Sequence, residues 1–118
     1  MALTITHFPD IRAYLGESAV LEVWNLQPAA ADYVTGGYPI PAGSFQLGKI
    51  VGAVVIGTNS AGATYLGQFV LPTTPLTTPQ NTINFKVVYS AGAAGVFTEV
   101  PAGTDLSAIS WNVLAWGW

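Results

Sequence analysis

Cysteine is absent from this chain, and charge is scarce. Without a thiol there is no disulfide framework and no thiolate metal site. Only 8% of the residues are Asp, Glu, Lys or Arg, against about 25% in an ordinary soluble domain. The basic residues are Arg12, Lys49 and Lys86, far apart in sequence, and the formal net charge is -3. Binding a phosphate backbone needs clustered Lys and Arg, so nucleic acid is excluded as a partner. Thermal adaptation through ion-pair networks is excluded for want of ions. His7 is the only histidine, which removes multi-histidine metal sites and two-histidine mechanisms. A long apolar run is missing too. No charge occurs from Ile50 to Phe85, but Asn59, Ser60, Gln68 and three prolines interrupt that interval. Nothing in it approaches the roughly 20 apolar residues of a spanning helix. The N-terminal residues lack the basic region and apolar stretch of a signal peptide. The expectation is a soluble protein with no membrane partner.

What is present is β-strand chemistry. At 118 residues the chain reads as a single domain, 1–118, that buries roughly two-thirds of its unfolded surface. The stretch from Phe45 to Leu71 carries two runs rich in β-branched and aromatic residues around Thr-Asn-Ser-Ala-Gly-Ala, the signature of a β-hairpin. Its first run, Ile50 to Ile56, is apolar on both alternating faces. Such a strand is expected to be buried on both, at the domain centre or beneath a partner subunit.

Ala2 to Phe8 alternates Leu3 and Ile5 with Thr4 and Thr6 until Pro9. It predicts a short edge strand, or a terminal arm (1–9) that adds to a sheet. Ser18 to Leu26 predicts a strand, with a short helix capped at Ser18 as its competitor. Residues 28–44 are rich in glycine and proline and read as irregular. Residues 72–81 hold Pro-Thr-Thr-Pro followed by its echo Leu-Thr-Thr-Pro and predict an extended loop, either a connector or a contact arm. From Thr82 to Ser90 the period is cleanest, with Ile83, Phe85, Val87 and Tyr89 on one face. Val96 to Val100 returns antiparallel, and Ile109 to Trp118 forms the last strand. The fold class is all-β: a small sandwich or barrel of about six to seven short antiparallel strands.

Catalytic chemistry finds little support. His7 has Asp10 nearby, but no Gly-x-Ser-x-Gly elbow is present. Glu99 and Asp105 flank one turn and can be posed as the carboxylate pair of a glycoside hydrolase. Asp105 is better placed to hydrogen-bond its own turn. The glycine clusters at Gly36-Gly37 and Gly92 to Gly95 lack the Gly-Lys-Ser/Thr element of a phosphate loop. The expectation is a protein that is not an enzyme and takes no metal or cofactor. Trp24, Trp111, Trp116 and Trp118, with five tyrosines, suit either a sugar-stacking platform or rings that fill a core or a subunit interface. Trp116 and Trp118 share a strand face and Trp111 takes the other. Trp111, Trp116 and Trp118 are the candidate oligomer-interface residues.

Tyr33-Val-Thr-Gly-Gly-Tyr-Pro39 and Glu99-Val-Pro-Ala-Gly-Thr-Asp-Leu-Ser107, in that order and each leading toward a strand, resemble segments of small tailed-phage virion proteins. These are the head decoration, or cement, proteins, and the likeness spans Tyr33 to Trp118. The resemblance implies a structural protein on the outer capsid surface of the virion, assembled in the host cytoplasm, often as a homotrimer. Its partners would be the major capsid protein and itself, and its work would be to bridge capsid subunits. The candidate capsid contacts are Leu3, Ile5 and Phe8 from the N-terminal segment, with Tyr38, Pro75 and Leu76 from the two Pro-rich loops. The alternative is a carbohydrate-binding or receptor-binding virion module using exposed Trp and Tyr.

Overall fold

Core-facing and outward residues alternate along the chain, and eight strands result. They are β1 (Thr4–Tyr14), β2 (Val20–Gln27), β3 (Tyr38–Pro41), β4 (Ile50–Thr58), β5 (Tyr65–Val70), β6 (Thr82–Ser90), β7 (Phe97–Glu99) and β8 (Trp111–Gly117). The computed structural model describes residues 3–14, 19–71, 79–90 and 97–118. Among these, the helical elements are two short 3-10 turns, Ala42–Phe45 and Ser60–Gly62. The strands form two antiparallel sheets, β1-β2-β8-β4 and β3-β6-β5, packed as a small sandwich. β7 lies end to end with β3 along one edge of β6, because β5 occupies the other edge at the same residues.

Apolar side chains from both inner faces make the core. β2 and β8 send in Trp24, Leu26, Trp111, Val113 and Ala115, and β3 and β6 send in Tyr38, Ile40, Ile83, Phe85 and Val87. The Trp111 and Phe85 rings meet edge to face at 5.0 Å, and Phe69 meets Phe85 in a tilted contact at 5.1 Å. Burying each of these side chains is worth roughly 1.5–3 kcal/mol before conformational entropy is subtracted.

The Phe45–Leu71 stretch departs from its expected form. Both runs are strands, but they do not pair with each other. β4 pairs with β8, and β5 pairs with β6 in the other sheet. The linker explains the arch. The Asn59 side chain donates to Ala108 O at 3.0 Å and accepts from Ser110 N at 3.3 Å. Thr58 Oγ1 also donates to Ser110 O at 3.0 Å. Held to the 108–110 segment in this way, the chain crosses to the second sheet instead of folding back. Val55 and Gly67 then face each other across the core: a Cβ on Gly67 would lie 3.2 Å from Val55 Cγ2 and 2.6 Å from Phe85 Cζ.

Nor is Ile50 to Ile56 buried on both faces. β4 is an edge strand, and Val51, Val54 and Ile56 are exposed within the protomer. At the other edge of the same sheet, Pro9 does not end β1. The strand continues to Tyr14 with its register shifted between His7 and Arg12, because a proline lacking an N–H is tolerated on an edge strand, and among the described residues no strand lies beyond β1. The N-terminal segment is thus an edge strand of its own domain. The 82–90 strand, by contrast, has the expected faces, with Ile83, Phe85 and Val87 fully buried.

Candidate interaction surface

The outer face of the first sheet is built from cross-strand rows. Leu21 of β2 lies opposite Trp116 of β8, which lies opposite Gly52 of β4; Val23, Leu114 and Val54 form the next row. Gly52 has a specific purpose here. A Cβ at that position would lie 2.5 Å from Trp116 Cζ2, so the absence of a side chain lets the indole lie across the strand. Val51 and Ile56 sit beside the two register shifts of β4 and extend the surface. Val54 and Ile56 are 46% and 55% exposed, so the patch is open to a partner.

A polar border follows. Asn25 and Asn112 form the third row, with Asn25 Nδ2 donating to Asn112 Oδ1 at 3.0 Å and to Ser110 Oγ at 2.6 Å. A contiguous apolar patch with a polar rim is the usual anatomy of a docking surface. At the opposite end the C-terminal residue is tied down by its backbone. Trp118 O accepts from Gly48 N at 2.7 Å and from Lys49 N at 2.8 Å. Its side chain remains 48% exposed.

The other expected contact residues are distributed differently. Tyr38 and Trp111 are fully buried core residues, so neither side chain reaches a partner; both corrections arise because strand alternation turns these rings inward. Leu3 is buried in the protomer's own core, Ile5 packs partly against that core, and Phe8 is half-buried. Trp116 is half-buried on the outer face and Trp118 is exposed. Pro75 and Leu76 lie outside the described residues. Trp24 is also in the core, which leaves Trp116 and Trp118 as the tryptophans open to a sugar ring.

The two segments that carry the phage-protein resemblance meet in space. Tyr33 Oη donates to Glu99 Oε2 at 2.7 Å, Gly36 N donates to the same oxygen at 2.6 Å, and Gly103 N donates to Tyr33 O at 2.8 Å. Tyr33 Oη also accepts from Val87 N at 3.1 Å, occupying the β6 edge between β3 and β7. Burial pushes the Tyr33 phenol above its ordinary pKa; the Val87 N–H opposes this and the Glu99 carboxylate adds to it. Tyr38 is raised in the same way, first by burial and then by its bond to Asp32. These phenols stay protonated and act as structural donors.

The posed catalytic groups are likewise engaged in structure. Glu99 holds Tyr33 and Gly36, while Asp105 accepts from Ser107 N at 3.0 Å and Ser107 Oγ at 2.7 Å. Those bonds, the hydroxyl first, hold the Asp105 carboxyl below its usual pKa. A feature the sequence reading missed is Glu22, buried on the inner face of β2. His7 Nε2 lies 2.7 Å and Arg12 Nε 3.2 Å from its two oxygens. Both come from β1, so the cluster clips that edge strand to the sheet. Its signal was an acidic residue at a core-facing position of the β2 alternation.

Among the described residues there is no cavity and no metal-ligand cluster. Fold and surface together define a small antiparallel β-sandwich with an open apolar face on its first sheet. No family model matches the chain, and no curated protein or solved structure matches it.

Proposed function

We propose that this chain is a structural virion protein of the head decoration type, which docks on the outer surface of a phage capsid and bridges major capsid subunits. The observation that carries the reading is the set of apolar rows on the outer face of the first sheet, with Val54 and Ile56 exposed beside Leu114 and Trp116. A cement protein works by adding buried contact area, and covering each such aliphatic side chain contributes roughly 1.5–3 kcal/mol before ordering costs. Many identical copies on a capsid lattice then supply strength through avidity. The low charge supports the reading as well, since 8% charged residues leave much of the surface fit for burial against copies or partners. Self-association belongs to this reading, with three copies implied by the resemblance.

Mass spectrometry of purified virions tests it. The chain is expected at a copy number approaching that of the major capsid protein. Its absence from virions, or a few copies per particle, would overturn the reading. Specific glycan binding through Trp116 and Trp118 on an array would favour the receptor-binding alternative. Within the decoration reading, Val54→Lys with Ile56→Lys should leave the domain folded and abolish capsid binding.

A further inference from the structure

β-Sandwiches expose four strand edges, and proteins normally blunt them with prolines, inward charges, bulges or short strands. In this molecule the devices are unevenly distributed. The β1 edge has Pro9, a register shift and the inward-facing His7–Glu22–Arg12 cluster. On the same flank, β3 is four residues long with two prolines, and β7 is three residues long. On the opposite flank, β4 has two register shifts, and Gln80 pairs with its first residue, Ile50. The remaining edge is β5. It pairs with β6 in unbroken register from Tyr65 to Val70 and contains no proline, no charge and no bulge. Leu66, Gln68 and Val70 are exposed on its outer face. Among the described residues nothing pairs with its free side.

We infer that β5 pairs antiparallel with β5 of a second copy across a two-fold axis, joining the two β3-β6-β5 sheets into one. A second copy fits because the edge is neutral and self-complementary. Continuing the sheet requires outer residues to meet outer residues. Centring the axis on Gln68 meets that condition, setting Leu66 opposite the partner's Val70 and Gln68 opposite its own equivalent. The nearest basic residue on this face is Lys86, which lies opposite Gln68 on β6. Across the axis the two Lys86 side chains are three strand spacings apart, about 14 Å. That exceeds the ~8 Å screening length at physiological salt, so no like-charge repulsion opposes the pairing. A strand that pairs with itself closes at two copies, so the oligomer is a dimer, in place of the trimer implied by the resemblance. The inference does not depend on capsid binding.

Sedimentation equilibrium at micromolar concentration should give twice the 12.3 kDa chain mass. Leu66→Lys with Val70→Lys should weaken dimerisation by about tenfold or more, with an unchanged far-UV circular dichroism spectrum. Because the chain has no cysteine, Gln68→Cys provides a second reading that needs no disruption of the fold. Residues opposite each other at the axis have Cβ atoms close enough for oxidation to link them. Gln68→Cys should therefore form a covalent dimer, and Thr6→Cys on the β1 edge should not. A monomeric wild type, a trimer, an oligomer untouched by the two lysines, or equal cross-linking at both cysteines would each overturn the inference.

Discussion

The two flanks of the sandwich are finished differently. On the β1/β3/β7 flank polar groups close the strand edges. Tyr33 fills the gap between β3 and β7, Glu99 collects two donors, and Glu22 faces His7 and Arg12. On the β4/β5 flank the side chains are neutral, and Val51, Val54, Ile56, Leu66 and Val70 are all exposed. One flank uses its polar residues to end the sheets. The other blunts β4 with two register shifts but leaves β5 fit to continue. Among the described residues Arg12, Glu22 and Glu99 lie on the finished side, while Lys86 faces Gln68 of β5 and Lys49 directly precedes β4.

The largest expected effect comes from breaking the finished flank at Gly37. Its φ is +99°, and a Cβ there would lie 2.5 Å from Phe85 O. Gly37→Val combines a left-handed backbone penalty with a clash against a strand that cannot shift, which together cost about 2–5 kcal/mol. The urea midpoint should fall accordingly. Tyr33→Phe is the milder version. It leaves the Val87 N–H without its acceptor and Glu99 without one donor, a loss of about 1–3 kcal/mol in the same measurement. On the open flank, Leu66→Lys with Val70→Lys should change protomer stability by no more than about 0.5 kcal/mol per site, because both positions are solvent-facing. That asymmetry, large on one side and near zero on the other, is what the comparison predicts.

The smallest effect concerns Asp105 in the 101–107 turn. Its folded pKa is lowered from the ordinary value of 3.8 by the Ser107 bonds. A lowered carboxylate contributes stability that is fully present above the unfolded value and is lost as pH falls through the folded one. The gap in urea midpoint between wild type and Asp105→Ala should therefore be constant near neutral pH and close on acidification below about pH 4. A gap that widens in acid would reverse the sign of this assignment.

Much of this was legible in the sequence, and what was not has a physical reason. Period-two alternation placed Ile83, Phe85 and Val87 in the core, because one face of β6 is dry and the other is not. At Ile50 to Ile56 the domain-centre alternative fails, because β4 is an edge strand with Val51, Val54 and Ile56 exposed within the protomer. Apolarity on both faces does not say whether any cover comes from the same chain or from another. Turn residues between two strands likewise do not distinguish a hairpin from an arch, since the choice here rests on Asn59 bonding to residues 108–110, some 50 positions away. Trp111 was readable as a ring for a core or an interface, whereas Tyr38 reads as a loop contact because its glycine- and proline-rich neighbours hide the short β3 alternation that turns it inward. The apolar rows of the outer face depend on which strands are neighbours, and β2-β8-β4 is an order that local sequence does not encode.

Concentration-dependent amide hydrogen exchange tests the contrast between the flanks most directly. Protection at Tyr65–Val70 should rise as the protein is concentrated through the dimerisation range, while Thr4–Tyr14 and Tyr38–Pro41 stay unchanged. Protection that rises instead at Thr4–Tyr14, or that is independent of concentration throughout, would contradict the account.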